Sequence, residues 1–192
     1  MVTDPGINSN LAPAFAYDYY SGRYAMAWQE RSSHQIKLMT STDGASWGNL
    51  VTWSSNKTSA PMGLACSQLT GGECALVYVD ADNAVAPLRY VKFGISTSGV
   101  ITSTSSGLVN ASGAAGYSAH AVSIVNAGAD YYLAWRDVGT ATVTTTAYGS
   151  NLGSLNSIRY GTAGTHGQPT LFRNRTAYHN HVLTPYEAAY DR

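Results

Sequence analysis

The chain has 192 residues, 11% of them charged, and its eleven basic and eleven acidic side chains give a formal net charge of zero. A neutral chain has no basic face for neutralising phosphates, which argues against nucleic acid and against a polybasic contact with a membrane surface. No apolar stretch approaches the roughly 18 residues of a spanning helix, so no membrane span is expected. Serine, threonine, asparagine, glycine and tyrosine carry the polarity instead, as in many secreted all-β proteins.

Helix-period patterns are nearly absent. Apolar residues alternate or run in short bursts bounded by Gly, Asn, Ser and Pro, the pattern of strands and tight turns. Residues 1–11 read as a lead-in or linker without the apolar segment of a signal peptide. If the protein is secreted, its leader has been removed, and Met1 is expected to come from expression. Residues 12–192 read as one array. A first unit, 12–53, carries strands expected at 13–17, 23–29, 35–40 and 50–53. A second, 60–109, carries them at 63–68, 73–79, 88–95 and 100–103. A third, 117–160, carries them at 119–125, 130–136, 142–148 and 157–160. A fourth, 168–192, offers only 168–172 and 176–183.

Three segments echo one another at the second strand of each unit. Tyr24-Ala25-Met26-Ala27-Trp28-Gln29-Glu30, Cys74-Ala75-Leu76-Val77-Tyr78-Val79-Asp80 and Tyr131-Tyr132-Leu133-Ala134-Trp135-Arg136-Asp137 each end in an aromatic with an acid two residues on. A Ser-x-x-Gly turn follows each one. Gly44, Gly99 and Gly153 close these turns at a spacing of roughly 55 residues. A repeat of four short strands at such a period is the sequence sign of a propeller-type β array. The expected fold class is therefore all-β, with about three full four-stranded antiparallel blades and part of a fourth.

Ser41-Thr42-Asp43-Gly44-Ala45-Ser46-Trp47 resembles the Asp-box, or BNR repeat, of sialidase-like β-propellers. It keeps the Ser, Asp, Gly and Trp but is one residue shorter between Asp and Trp. The other two turns keep only Ser and Gly, with Ser98 and Leu152 in the Asp place. In that family the box lies between the third and fourth strands of a blade, which is where residues 41–47 fall. The resemblance implies a structural role for Ser41, Asp43, Gly44 and Trp47, away from the active centre. The residues support the same reading. Asp43 can accept from N–H groups of its own turn, Gly44 permits positive φ, and Trp47 can pack under the turn.

Sialidase chemistry requires three arginines on the substrate carboxylate, a Tyr–Glu nucleophile pair and an acid/base Asp. None of the eight arginines sits in a matching motif. Two readings compete for the aromatics Trp28, Tyr78 and Trp135. They pack between blades, or they form a platform on which sugar rings stack. Glu30, Asp80 and Asp137 either cap the following turns or point into a ligand groove. Taken as binding residues, these six define the candidate site.

Cys66 and Cys74 flank a loop with a Gly-Gly pair and are expected to face each other across a hairpin as a disulfide, which fits an extracellular setting. Sequons occur at Asn56, Asn110 and Asn174, close to chance in so Ser/Thr-rich a chain. His179 and His181 share a strand face and are weak zinc candidates; a solvent-exposed pair is the plainer reading. No cofactor is expected. The function expected is that of an extracellular, non-catalytic module binding a glycan or protein surface, as a fragment or appended domain of a secreted bacterial hydrolase. A sialidase-like glycoside hydrolase is the alternative. A structural fragment that self-associates through open strand edges is a third.

Overall fold

The computed structural model describes residues 6–68, 72–111, 114–115, 121–127, 130–136, 142–148, 155–164, 170–173 and 180–183, with side chains at 6–68, 72–109, 121–126 and 130–136. The protein is all-β, with antiparallel pairing throughout and no helix among the described residues. The first sheet contains β1 (Ala14–Asp18), β2 (Arg23–Gln29), β3 (Gln35–Ser41) and β4 (Gly48–Lys57). The second contains β5 (Gly63–Cys66), β6 (Glu73–Val79), β7 (Leu88–Ile95) and β8 (Ile101–Leu108). The two-residue strands β9 (Asn110–Ala111) and β10 (Ala114–Ala115) pair with each other. The third sheet contains β11 (Ser123–Ala127), β12 (Asp130–Arg136), β13 (Thr142–Tyr148) and β14 (Leu155–Gly164). β15 (Thr170–Arg173) and β16 (Asn180–Leu183) form a two-stranded sheet.

Each four-stranded sheet is a simple meander, its strands hydrogen-bonded in chain order. The first strands lie side by side: β1 against β5, β5 against β11, and β11 against β15. Burial falls from inner to outer strands. Residues from Ala25 to Gln29 of β2 are all buried, and so are those from Cys74 to Val79 of β6, which lies between two apolar layers. This is why these strands read as continuous apolar bursts rather than as alternation. The outer strands β4 and β8 are largely exposed and rich in Ser, Thr and Asn. Their lengths exceed the expected 50–53 and 100–103 for the same reason: a strand with little apolar surface leaves no hydrophobic pattern to mark its ends.

Two apolar layers hold the sheets together. In the first, Ala14, Ala25, Ala27, Ile36 and Leu38 of the first sheet meet Leu64, Leu76, Val91 and Phe93 of the second. In the next, Ala65, Ala75, Val77 and Val79 of the second sheet meet Ile124, Tyr131, Leu133 and Trp135 of the third. The second layer is so close at Gly63 that an added Cβ would fall 2.8 Å from Ile124 Cγ2 and 2.9 Å from the Val122 carbonyl oxygen. In each layer the first two strands of one sheet present alanines and valines to bulkier side chains of the next.

The register puts corresponding residues of the first two strands of each sheet opposite one another. Phe15 pairs with Met26 and Tyr17 with Tyr24. Leu64 pairs with Leu76 and Cys66 with Cys74. Ile124 pairs with Leu133 and Asn126 with Tyr131. Cys66 and Cys74 form the expected disulfide.

Candidate binding surface

The turn between β3 and β4 is built around Asp43. Its Oδ1 accepts from the N–H groups of Ala45 and Ser46 at 2.8 and 2.7 Å and from Ser41 Oγ at 2.9 Å. Ser41 Oγ in turn accepts from the Asp43 and Gly44 N–H groups at 3.2 and 2.9 Å. Gly44 has φ of 72°. The backbone donors hold the Asp43 carboxyl well below the usual carboxylate range. Every acceptor site of this carboxylate that has a recorded partner is turned inward on its own loop. Trp47 reaches back across the sheet to β1, where its ring meets Phe15 edge-on with centroids 6.0 Å apart.

The corresponding turn of the second sheet, Ser96 to Gly99, is held by the first sheet. Arg23 Nε and Nη2 donate to the Thr97 carbonyl at 2.9 and 2.8 Å, and Thr40 Oγ1 donates to the Gly99 carbonyl at 3.0 Å. Ser98 stands in the Asp place and shares a hydrogen bond with Ser96 Oγ at 2.8 Å. The third turn, Ser150 to Gly153, lies outside the described residues.

Trp28, Tyr78 and Trp135 are only 2%, 2% and 1% exposed. Their ring faces are closed off, so they do not form an open sugar-stacking platform; Tyr78 and Trp135 belong to the two inter-sheet layers. Among the described residues neither Trp28 Nε1 nor Trp135 Nε1 finds an acceptor, whereas the Tyr78 hydroxyl accepts from Asn56 Nδ2 at 2.8 Å. Burial pushes the Tyr78 hydroxyl up to about 12. Glu30 pairs with Lys37 on β3, and that hydrogen bond lowers its pKa. Asp80 pairs with Arg89 Nε on β7 at 2.8 Å and caps its own turn by accepting from the Asp82 N–H at 3.0 Å. Both carboxylates therefore serve their own sheet. Asp137 lies outside the described residues, as does His179; His181 falls in β16, whose side chains are likewise outside. Among the described residues no three His, Cys, Asp or Glu side chains come together to hold a metal.

Among the described residues the exposed aromatics are elsewhere, on the first sheet. Phe15, Tyr17, Tyr19, Tyr20 and Tyr24 all present large open surface. Tyr17 contacts both Tyr19 and Tyr24 with centroids 4.9 Å apart. The β1–β2 hairpin that carries them is fixed by the buried Asp18, which accepts from the Tyr20 and Ser21 N–H groups and from Ser21 Oγ at 2.6 Å. Tyr20 lies over Gly72 of the disulfide hairpin, where an added Cβ would fall 2.7 Å from Tyr20 Cβ. Tyr24 lies against Gly44, so the aromatic corner is continuous with the Asp43 turn. The sequence reading missed this corner, although one signal was present. Four tyrosines stand within residues 17–24, and on β1 Phe15 and Tyr17 alternate with Ala14 and Ala16.

A separate cleft of about 310 Å³ opens between the outer strands of the first two sheets. It is lined by Thr52, Trp53, Asn56, Ser103 and Ser106 among others, a neutral and hydroxyl-rich wall. Neither surface brings two free carboxylates together.

These features define an all-β protein of stacked four-stranded meanders with an open aromatic corner. The chain matches no protein-family model and no curated protein sequence.

Proposed function

We propose that the protein is an extracellular, non-catalytic binding module whose sheets are the blades of a sialidase-like propeller array, and that it recognises a glycan or protein surface through the aromatic corner of its first sheet. The observation that carries this reading is the cluster of Phe15, Tyr17, Tyr19, Tyr20 and Tyr24, exposed together on a hairpin that Asp18 holds rigid. Large open aromatic patches on otherwise polar proteins mark interaction sites, and tyrosine combines an apolar face with a polar tip. The propeller arrangement is supported by the adjacency of the first strands and by the inward-turned hydrogen bonds of the Asp43 turn. The disulfide fits an oxidising compartment. Against a hydrolase stands the engagement of Glu30 and Asp80 by Lys37 and Arg89 on their own sheets, since glycosidases need two carboxyl groups flanking one bond.

The test is a glycan-array and surface-binding screen of the whole chain, with reducing-sugar release measured on every glycan bound. Saturable binding that Tyr17→Ala and Tyr24→Ala abolish, without sugar release, is the expected result. Catalytic release of sugar would overturn the reading.

A further inference from the structure

The cleft between the outer strands of the first two sheets is shaped by irregularities in both of them. Gln35 on β3 pairs with Lys57 of β4, but the next residue, Ile36, pairs with Trp53. Ser54, Ser55 and Asn56 therefore stand out of the ladder between two consecutive pairs. On the other wall Lys92 of β7 pairs with Ser105 of β8 and Phe93 with Ser103, so Thr104 is the extra residue of a bulge. Bulges re-aim side chains and are over-represented next to functional sites. Here they decide which residues meet. Ser103 and Ser106 are three apart and would lie on opposite sides of a regular strand; the extra residue brings both to the cleft. The bulge of β4 lets consecutive residues, from Thr52 to Asn56, line the facing wall.

The bulges are held in shape by their own hydrogen bonds. Gln35 Nε2 donates to the Ser54 carbonyl at 3.3 Å, and Ser55 Oγ donates to Asn56 Oδ1 at 3.1 Å. Asn56 Nδ2 reaches the second sheet, donating to the Tyr78 hydroxyl at 2.8 Å. On β8 the bulged Thr104 donates its hydroxyl to Glu73 Oε1 at 3.1 Å. The cleft-lining hydroxyls of Thr52, Ser54, Ser103 and Ser106 have no hydrogen-bond partner among the described residues. Trp53 supplies the apolar part. It packs on the first layer, meeting Phe93 edge-on with centroids 5.5 Å apart, and its remaining surface lines the cleft. Among the described residues no charged side chain lines the cleft.

A ligand suited to such walls carries no charge, offers several hydroxyls, and has an apolar C–H face for an indole. A neutral pyranose ring meets all three requirements. The volume of about 310 Å³ lies at the small end of ligand sites and suits a single ring of this kind. We propose that the cleft is a second binding site, for one neutral hexose unit of a glycan, with the C–H face of the sugar on Trp53 and its hydroxyls on Ser54, Ser103 and Ser106. The site is separate from the aromatic corner and stands independently of it. An open cleft that holds so few ligand atoms binds with about millimolar affinity, too weakly to register in a screen at micromolar concentration.

The test is a nitrogen-15 NMR titration of the whole chain with methyl β-glucopyranoside, methyl β-galactopyranoside and methyl α-mannopyranoside, each to tens of millimolar, with sodium glucuronate as the charged control. For at least one neutral sugar the Trp53 indole N–H and the Ser54, Ser103 and Ser106 amides should shift saturably, and glucuronate should bind several-fold more weakly. Ser54→Ala/Ser106→Ala, at two exposed positions, should weaken binding about tenfold, the worth of two hydroxyl hydrogen bonds, at an unchanged melting temperature. Tyr17→Ala/Tyr24→Ala should leave this binding as it is. The proposal is overturned if none of the three sugars shifts these residues saturably, or if glucuronate or the serine double variant binds as tightly. Shifts confined to residues 15–24 would place the sugar at the aromatic corner, which removes the cleft site and keeps the reading of the corner. Saturable shifts at the cleft in a chain that binds nothing through its tyrosines keep the cleft site and remove the corner.

Discussion

Tyr17 and Tyr24 face each other across β1 and β2 at the register position that the Cys66–Cys74 disulfide occupies in the second sheet. One position thus holds a covalent staple under a covering sheet and, one unit earlier, a pair of half-exposed rings in tilted contact. The staple closes only a short loop. Replacing both cysteines by serine should cost about 2–3 kcal/mol, read as a lower midpoint in urea with an unchanged slope. An unchanged midpoint would mean that the layer holds the hairpin without the bond.

Asp43→Ala should lower the melting temperature by several degrees and leave binding at the aromatic corner intact, because the recorded hydrogen bonds of Asp43 stay within its own turn. Affinity lost at constant melting temperature would place Asp43 in the recognition surface.

The same carboxylate makes stability depend on pH. Its pKa is depressed below the ordinary 3.8 by the Ser46 and Ala45 N–H groups. Its contribution is therefore fully present above about pH 4 and is lost as pH falls through the folded value. Between pH 4 and pH 2 the wild type should lose more melting temperature than Asp43→Asn. Parallel curves would remove Asp43 from the acid response.

Gly99 carries a fourth expectation. It has φ of 92°, and an added Cβ would fall 2.4 Å from Asn49 Nδ2 and 2.7 Å from Thr40 Oγ1. Gly99→Ala should cost about 1–3 kcal/mol by thermal or urea unfolding, through backbone strain and the loosened Arg23 and Thr40 clasp. A neutral substitution would show that the first sheet does not grip this turn.

What could be read from the sequence was local. The bursts at Ala25, Ala75 and Leu133, the Gly-bounded turns and the facing cysteines all depend on near neighbours, and strands β2, β6, β7, β12 and β13 fall where the pattern puts them. The Asp43 turn was legible for the same reason. The aromatic corner was not, because exposure depends on which sheet has another laid over it. Tyr24 and Tyr131 look alike in sequence, one open and one buried. Trp28, Tyr78 and Trp135 invited a ligand reading because aromatics suit sugars, but a ring in a middle strand is covered from both sides. The ion pairs of Glu30 with Lys37 and of Asp80 with Arg89 needed the register of β2 on β3 and of β6 on β7, which alternation alone does not supply.

The sheets stack with a fixed sidedness: the side of the second and third sheets that carries Leu76 and Leu133 packs on the sheet before it, while on the equivalent side of the first sheet Phe15, Tyr17 and Tyr24 are exposed and Met26 and Trp28 are buried. The most direct measurement is the nuclear Overhauser contact between the Gly63 α-protons and the Ile124 γ2 methyl, since the Cβ direction at Gly63 points to within 2.8 Å of that carbon. A strong cross-peak, accompanied by one from the Tyr131 ring to the Glu73 backbone, is the predicted result. If Gly63 shows no contact with Ile124 and the Tyr131 ring instead sees solvent, the sheets are not stacked this way.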